Sequence, residues 1–400
     1  MKIAILKPHK EIPVLAGHPW IFSEAFAYSP EAENGEIVIV KTAEDKDLCI
    51  GTWNSRNSIR LRVLSRDTSV RIDDDFFVRQ FTTLRNWKLS RLPQNTNGYR
   101  IVHAEADGIP GLIVDQYGDA IVFQIHTAGM ELLREPILQA LKKVFQPKIL
   151  VERSDLDIRR IEGLSDQPVT IHQGSINEPI QFNETGIRFE ADIIHGQKTG
   201  FFLDQREARR IVGRIAKGKR ILNLFSYSGA FSVHAALGGT SFVMSVDVSV
   251  SALESAERQF RLNGLNPDDT TKYGFLEADI FDLMKEESAP EGPYDVIICD
   301  PPALAKSAAH LPQAKKTYTS LNAQCLRWLA PGGILLTSSC SGRLQPEDFR
   351  SLLRLASGRA KRDVRIVDWL PQPVDHAERL AYPEGRYLKT AILEVQSILR

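Results

Sequence analysis

The rhythm of hydrophobic positions changes along the chain. Up to about residue 72 they come in short runs rich in β-branched residues: Glu36–Thr42, Leu48–Asn54 and Ile59–Ser65, each bounded by turn residues. That pattern predicts a small β domain. Over 73–92, Phe76, Phe77, Phe81, Leu84 and Trp87 recur at threes and fours, the spacing of a helix with one buried face. The polar stretch Leu92–Tyr99 reads as a boundary. Three further strands are then predicted at Tyr99–Glu105, Gly111–Gln116 and Ala120–His126. Turns fall at Asp107–Pro110 and Tyr117–Asp119, followed by a helix over about 130–145 and a strand at Lys148–Arg153. This order suggests a small central α+β domain.

From about residue 220 the pattern becomes regular alternation. Apolar strands are predicted at Arg220–Phe225, Phe242–Asp247, Tyr294–Asp300 and Ile334–Cys340, with a weaker one near Thr271–Leu276, and helical patterns lie between them. Alternating strands and helices imply right-handed crossovers and a parallel sheet covered on both faces. Ligands of such sheets bind at the carboxyl ends of the strands. The domain division read from the pattern is 1–72, 73–173 and 174–400.

Length and composition add limits. A chain of 400 residues is too long for one ordinary domain. Basic and acidic residues balance at 50 each, so any nucleic-acid surface must be a local patch. No apolar run approaches the roughly 18 residues of a membrane helix, and the start does not read as a signal peptide. Cys49, Cys299, Cys325 and Cys340 show no CxxC spacing and no histidine at zinc-ligand distance. The expectation is a cytoplasmic chain with reduced thiols, no metal site and no membrane partner.

The chemistry concentrates at the predicted strand ends. The first strand of the alternating half runs into a turn ending at Gly229. The second ends in Asp247, 18 residues later. A carboxylate there can accept from both hydroxyls of a ribose. A dinucleotide would call for GxGxxG, whose glycines admit a pyrophosphate. One glycine suits S-adenosyl-L-methionine, which has a ribose and no phosphate. The third strand leads to Glu277 and Asp279, where a carboxylate can accept from an adenine amino group while Ile280 and Phe281 flank the ring. The fourth ends in Asp300-Pro301-Pro302, whose prolines stiffen the loop.

The fifth strand carries Cys340 at its end, between serines and just before Gly342. The other three thiols read better as small buried hydrophobes. A thiolate beside a methyl-donor pocket points to a pyrimidine acceptor. Carbon 5 of the ring is a poor nucleophile until a thiolate adds at carbon 6. Asp300 is placed to orient the base through its ring nitrogen and amino edge. Methylation of an exocyclic amine needs no thiol and usually stacks the base on an aromatic after Pro-Pro, where this chain has Ala303-Leu304.

Several segments together resemble the bacterial large-subunit ribosomal RNA cytosine-5 methyltransferase family: His195–Arg206 (HGQKTGFFLDQR), Asn223–Phe231, Asp300–Pro302, Thr337–Ser341 and Tyr382–Gly385. Gly17–Phe22 resembles the opening of that family's N-terminal PUA domain, an RNA-binding β-barrel, and Asp107–Asp115 resembles its central domain. The family often has Lys-Phe where this chain has Ala303-Leu304. The resemblance implies a PUA-like barrel, a small central α+β domain and a class I methyltransferase domain with a mainly parallel seven-stranded α/β sheet. It implies Cys340 as nucleophile aided by Asp300. It also implies cofactor contacts at Lys198, Thr199, Phe202, Asp204, Arg206, Phe225, Ser226, Gly229, Asp247, Asp279, Ile280 and Asp300. Ribosomal RNA is the expected partner, and a homodimer is admitted. Arg153, Arg159 and Arg160 are candidates to line an RNA path, a solvated charged face being the alternative. The rival readings are a methyltransferase of a small molecule or of another RNA atom, and a non-catalytic RNA-binding protein that keeps the fold.

Overall fold

The computed structural model describes residues 1–305 and 307–396. The chain divides into two compact units. The first comprises residues 1–186, 190–203 and 374–385; the second comprises 187–189, 204–373 and 386–400.

In the first unit, β1 (Lys2–Leu6), β2 (Trp20–Phe22), β3 (Phe26–Tyr28), β4 (Ile37–Lys41), β5 (Asp47–Trp53) and β6 (Ile59–Ser65) form one sheet in the order β2-β6-β5-β4-β1-β3. The three runs expected from the pattern are β4, β5 and β6. The short β1 to β3 escaped it because three to five residues give periodicity too little to act on. Alternate positions of β4 turn Val38 and Val40 inward onto Leu6, Ile21, Leu48 and Leu61.

Helix Asp74–Leu89 starts where Asp73 accepts the Phe76 N–H at 3.1 Å, a side-chain cap of the helix start. Phe76, Phe77 and Phe81 enter the core as expected, but Trp87 faces solvent and Lys88 is fully buried. Lys88 donates to Asp107 and, at 3.0 Å, to the Asp375 carbonyl. An ion partner 19 residues away thus overrides the apolar periodicity. A second sheet holds β7 (Gly98–His103), β8 (Leu112–Tyr117), β9 (Ala120–Ile125), β10 (Ile149–Glu152) and β11 (Thr170–Gln173), in the order β11-β10-β9-β8-β7. Its parallel β9–β10 pair is joined by helices Ala128–Leu132 and Arg134–Phe145. Leu64 of β6 shares the core of this sheet. Glu162 takes hydrogen bonds from Asn54, Asn57 and Arg62, so the barrel strands and the central sheet are braced together.

Arg153 and Arg159, candidates for an RNA path, are internal braces instead. Arg153 donates to the Ile193 and Gly196 carbonyls, and Arg159 to the Ile125 carbonyl and Glu131. Both are buried, which removes them from any RNA surface. Arg160 is exposed and paired with Asp166. The hairpin strands β12 (Ile180–Glu184) and β13 (Ile187–Ala191) follow.

The second unit is built on a seven-stranded sheet. Its strands are β14 (Arg220–Leu224), β15 (Phe242–Asp247), β16 (Tyr273–Glu277), β17 (Tyr294–Cys299), β18 (Leu329–Ser339), β19 (Val364–Leu370) and β20 (Lys389–Val395), in the order β16-β15-β14-β17-β18-β20-β19. The five that run parallel match the predicted strands, because strands buried on both faces read as continuous apolar runs. β20 lies antiparallel between β18 and β19. The strand order reverses between β14 and β17, and the crevice outside that reversal is where such sheets hold ligands.

Candidate active site

The turn after β14 is strained. Phe225 (φ 58°), Tyr227 (φ 46°) and Gly229 (φ 72°) all adopt left-handed backbone within five residues. For the two aromatic residues that conformation costs about 1–2 kcal/mol each. Hydrogen bonds hold the turn against this cost. The Ser226 N–H donates to the Val246 carbonyl at 2.9 Å, and the Tyr227 N–H to Asp247 Oδ2 at 2.8 Å. Gly229 opens helix Ala230–Leu237, and a Cβ there would sit 2.5 Å from the Ala256 Cβ. Only glycine admits that approach between helix Ala230–Leu237 and helix Val250–Leu262.

Asp247 ends β15 half-buried, with Oδ1 taking the Ser249 N–H at 3.0 Å. Both its oxygens are thereby aimed by backbone donors while keeping lone pairs for a ligand. Ser226 presents a buried hydroxyl with no partner among the described residues. Past β16, exposed Asp279 caps Phe281 at 2.8 Å, and Ile280 beneath it is buried. The rings of Phe225 and Phe281 meet edge-on at 5.8 Å, an apolar wall beside a carboxylate.

Asp300 follows β17 and is half-buried. Burial, reinforced by the Asp204 carboxylate, pushes its carboxyl up to about 7, against a hydrogen bond from Gln205 and the charge of Arg209. Asp204 Oδ2 accepts the Tyr387 hydroxyl at 2.6 Å. Its Oδ1 is buried without a partner among the described residues, as is Gln205 Oε1. Arg206 and Arg209 are buried on helix Arg206–Ile215. Unpartnered buried acceptors on Asp204, Gln205 and Ser226 fit a polar, cationic ligand, since such groups otherwise go unsatisfied only at a cost.

The four thiols separate by environment, and none is in a disulfide. Burial pushes the Cys49 thiol up to about 12. Cys299 is raised by the neighbouring Cys325 sulfur and by burial. Cys340 alone is half-exposed, one residue past β18, with its sulfur 4.0 Å from the Pro301 carbonyl. The flanking Ser339 and Ser341 hydroxyls bond the Tyr318 hydroxyl at 3.0 and 3.2 Å.

Asp204, Arg206, Phe225, Ser226, Gly229, Asp247, Asp279, Ile280, Asp300 and Cys340 thus all belong to the second unit. Lys198, Thr199 and Phe202 belong to the first. There Lys198 is exposed with φ 58°. Thr199 is buried, its hydroxyl donating to Asp115 at 2.6 Å beside the Tyr117 hydroxyl. The Thr199 side chain therefore braces the first unit's interior. Sequence reasoning missed Gln205, Tyr227, Tyr387 and Lys389. Gln205 sits inside a quoted segment, whereas Tyr387 and Lys389 follow an irregular stretch with no motif spacing. Among the described residues no cluster of three metal-ligand side chains occurs, and no helix is long and apolar enough to cross a membrane.

Comparison with known proteins agrees with this geometry. A family model of S-adenosylmethionine-dependent methyltransferases matches residues 163–378, and one of PUA-like domains matches 4–66. A ribosomal RNA large subunit methyltransferase I from Aeromonas salmonicida is 39% identical, over 97% of this chain and 98% of that protein. The namesake from Shewanella denitrificans is 36% identical over 98% of both. A solved S-adenosylmethionine-dependent methyltransferase from Streptococcus mutans shares the fold with a TM-score of 0.82, at 24% identity, covering 99% of this chain and 100% of that one. With its PUA-like barrel, central α+β domain and class I methyltransferase sheet, the chain belongs to the ribosomal RNA large subunit methyltransferase I family of S-adenosylmethionine-dependent enzymes.

Proposed function

We propose that this methyltransferase acts on carbon 5 of a cytosine in large-subunit ribosomal RNA, with Cys340 as covalent nucleophile. The observation that carries the reading is the singular setting of Cys340. It is the one half-exposed thiol of four, it ends β18, and it adjoins the Asp300-Pro301 loop. The RNA substrate is supported by the names of the relatives.

In this reading Asp247 takes the ribose hydroxyls, and Phe225, Asp279, Ile280 and Phe281 the adenine. Ser226, Gly229, Asp204, Arg206 and Asp300 line the remainder. The cofactor supplies an electrophilic sulfonium methyl group when bound. Cys340, as thiolate, adds to carbon 6. The sulfur–carbon bond forms as the C5–C6 π pair moves to carbon 5, which becomes nucleophilic. Asp300, part-protonated near neutral pH, donates to the ring nitrogen and accepts from the amino group, which favours that addition. Once carbon 5 carries the methyl group a base removes its proton, the C5–C6 double bond re-forms, and the thiolate leaves.

RNA carrying 5-fluorocytosine tests this, because fluorine cannot be abstracted as a proton. The wild-type enzyme is expected to be trapped as an RNA adduct that survives denaturing gels, mapping to Cys340, and Cys340→Ser is not. A full-rate Cys340→Ser enzyme that forms no adduct favours direct transfer to nitrogen or oxygen, and an adduct at Cys299 or Cys325 makes that thiol the nucleophile instead. The division 1–72, 73–173 and 174–400 then corresponds to RNA capture by the barrel, a central connector and the chemistry. Action on ribosomal RNA implies a cytoplasmic enzyme, and a homodimer is checked by light scattering.

A further inference from the structure

Lys389 is the first residue of β20, paired in register with Ser339 of β18, one position before Cys340. Its residue is 1% exposed. The ammonium donates to the Ser341 carbonyl at 2.7 Å and the Tyr387 carbonyl at 2.6 Å. One of its three N–H groups is left without an acceptor among the described residues. Among the described residues no carboxylate pairs with it. A buried ammonium between neutral carbonyls is costly, and a neutral amide would satisfy the same carbonyls. The charge calls for an anion, and the ionisable group that couples to it is the Cys340 thiol.

We propose that Lys389 is a positioning residue that holds Cys340 as the thiolate: an ammonium tethered by two backbone carbonyls beside the strand end that presents the sulfur. The inference rests on the reading of Cys340 as nucleophile. It supplies what that reading lacks, because an ordinary thiol is only a few per cent ionised at neutral pH. The Cys340 proton leaves to solvent, and the ammonium keeps its own.

Among the described residues, the other groups near Cys340 do not supply that charge. From helix Leu311–Trp328 comes Tyr318, neutral and occupied with Ser339 and Ser341. From the end of β17 come the Pro301 carbonyl and, before it, Asp300, which opposes a thiolate wherever it ionises. Burial pushes Lys389 itself down to about 8, while the thiolate pulls it back up. The two groups are therefore coupled, and each stabilises the charged form of the other.

The test is alkylation of Cys340 by iodoacetamide in the full chain without RNA, followed against pH by peptide mass spectrometry. Wild-type Cys340 is expected to titrate below the usual thiol value. Lys389→Met is expected to lower its alkylation rate at pH 7 about tenfold, the effect of one pKa unit. Lys389→Arg, which keeps the charge, retains most of the rate. A Lys389→Met chain that binds cofactor normally and alkylates with the wild-type pH profile overturns the proposal. Should Lys389→Met not fold, the coupling is read from the other side. The Lys389 ε-carbon, followed by NMR in wild type and Cys340→Ser, is expected to titrate about one unit lower in the variant. An unchanged Lys389 titration overturns the proposal equally. If these shifts appear but the wild-type enzyme gives no 5-fluorocytosine adduct, the ion pair stands and the nucleophile reading fails.

Discussion

Asp300→Asn separates the stability cost of Asp300 from its use. In the folded chain its carboxyl titrates near 7, against 3.8 ordinarily, first because it is buried and second because Asp204 repels it. Below the ordinary value both folded and unfolded states are protonated, and the residue costs nothing. As pH rises, the unfolded chain ionises first, so the folded state binds the extra proton and loses stability relative to it. The loss is complete only above the folded value. About three units would correspond to about 4 kcal/mol, but the residue is only half-buried, and solvent screening reduces this to about 1–2 kcal/mol. Asparagine keeps an oxygen for the Gln205 hydrogen bond and carries no charge. The expected result, by denaturant unfolding of the cofactor-free chain, is equal stability near pH 4 and a variant more stable by about 1–2 kcal/mol near pH 8. Activity moves the other way. If protonated Asp300 and the Cys340 thiolate are both needed, the wild-type rate is bell-shaped in pH, and Asp300→Asn flattens the alkaline limb while lowering the maximum. A stability difference that is constant with pH, or that grows toward acid, refutes the reasoning.

Two further outcomes follow from the geometry. Asp247→Ala is expected to weaken S-adenosylmethionine binding by about 1.5–3 kcal/mol, the scale of a hydrogen bond to a charged group, and unchanged affinity in titration calorimetry removes the ribose assignment. Removing the whole barrel would uncover the core that Leu64 shares with the central sheet, so surface charge is the better probe. Lys7→Glu with Lys10→Glu, both exposed, is expected to weaken RNA binding and flatten its salt dependence while leaving cofactor affinity unchanged; equal salt slopes would rule out phosphate contact there.

How much of this was legible in the sequence depends on what kind of physics selected each residue. Parallel strands buried on both faces leave an apolar run that survives any choice of partner, so β14 to β18 could be read directly. Helix Asp74–Leu89 could be read too, but not its facing at the last turn. There Lys88 is turned inward by Asp107 and the Asp375 carbonyl, and Trp87 is left in solvent. Periodicity registers the size of apolar side chains and is blind to a distant carboxylate. Arg153 and Arg159 fail for the same reason. Their acceptors include backbone carbonyls and, for Arg159, the distant Glu131, which no local side-chain pattern reveals.

The thiols make the sharper case. Cys299 and Cys340 both stand at or just past the ends of neighbouring strands. Composition does not separate them, and one is buried against Cys325 while the other is half-exposed. Reading strand ends found Cys340 because parallel strands deliver their last residues to one edge. The same rule could not find Lys389. β20 runs the other way, so it brings its first residue to the edge where its neighbours bring their last. In a sheet with one antiparallel insertion, the residues that tune a strand-end nucleophile are to be sought at the start of the inserted strand. In this chain that position holds a buried lysine with no carboxylate partner among the described residues.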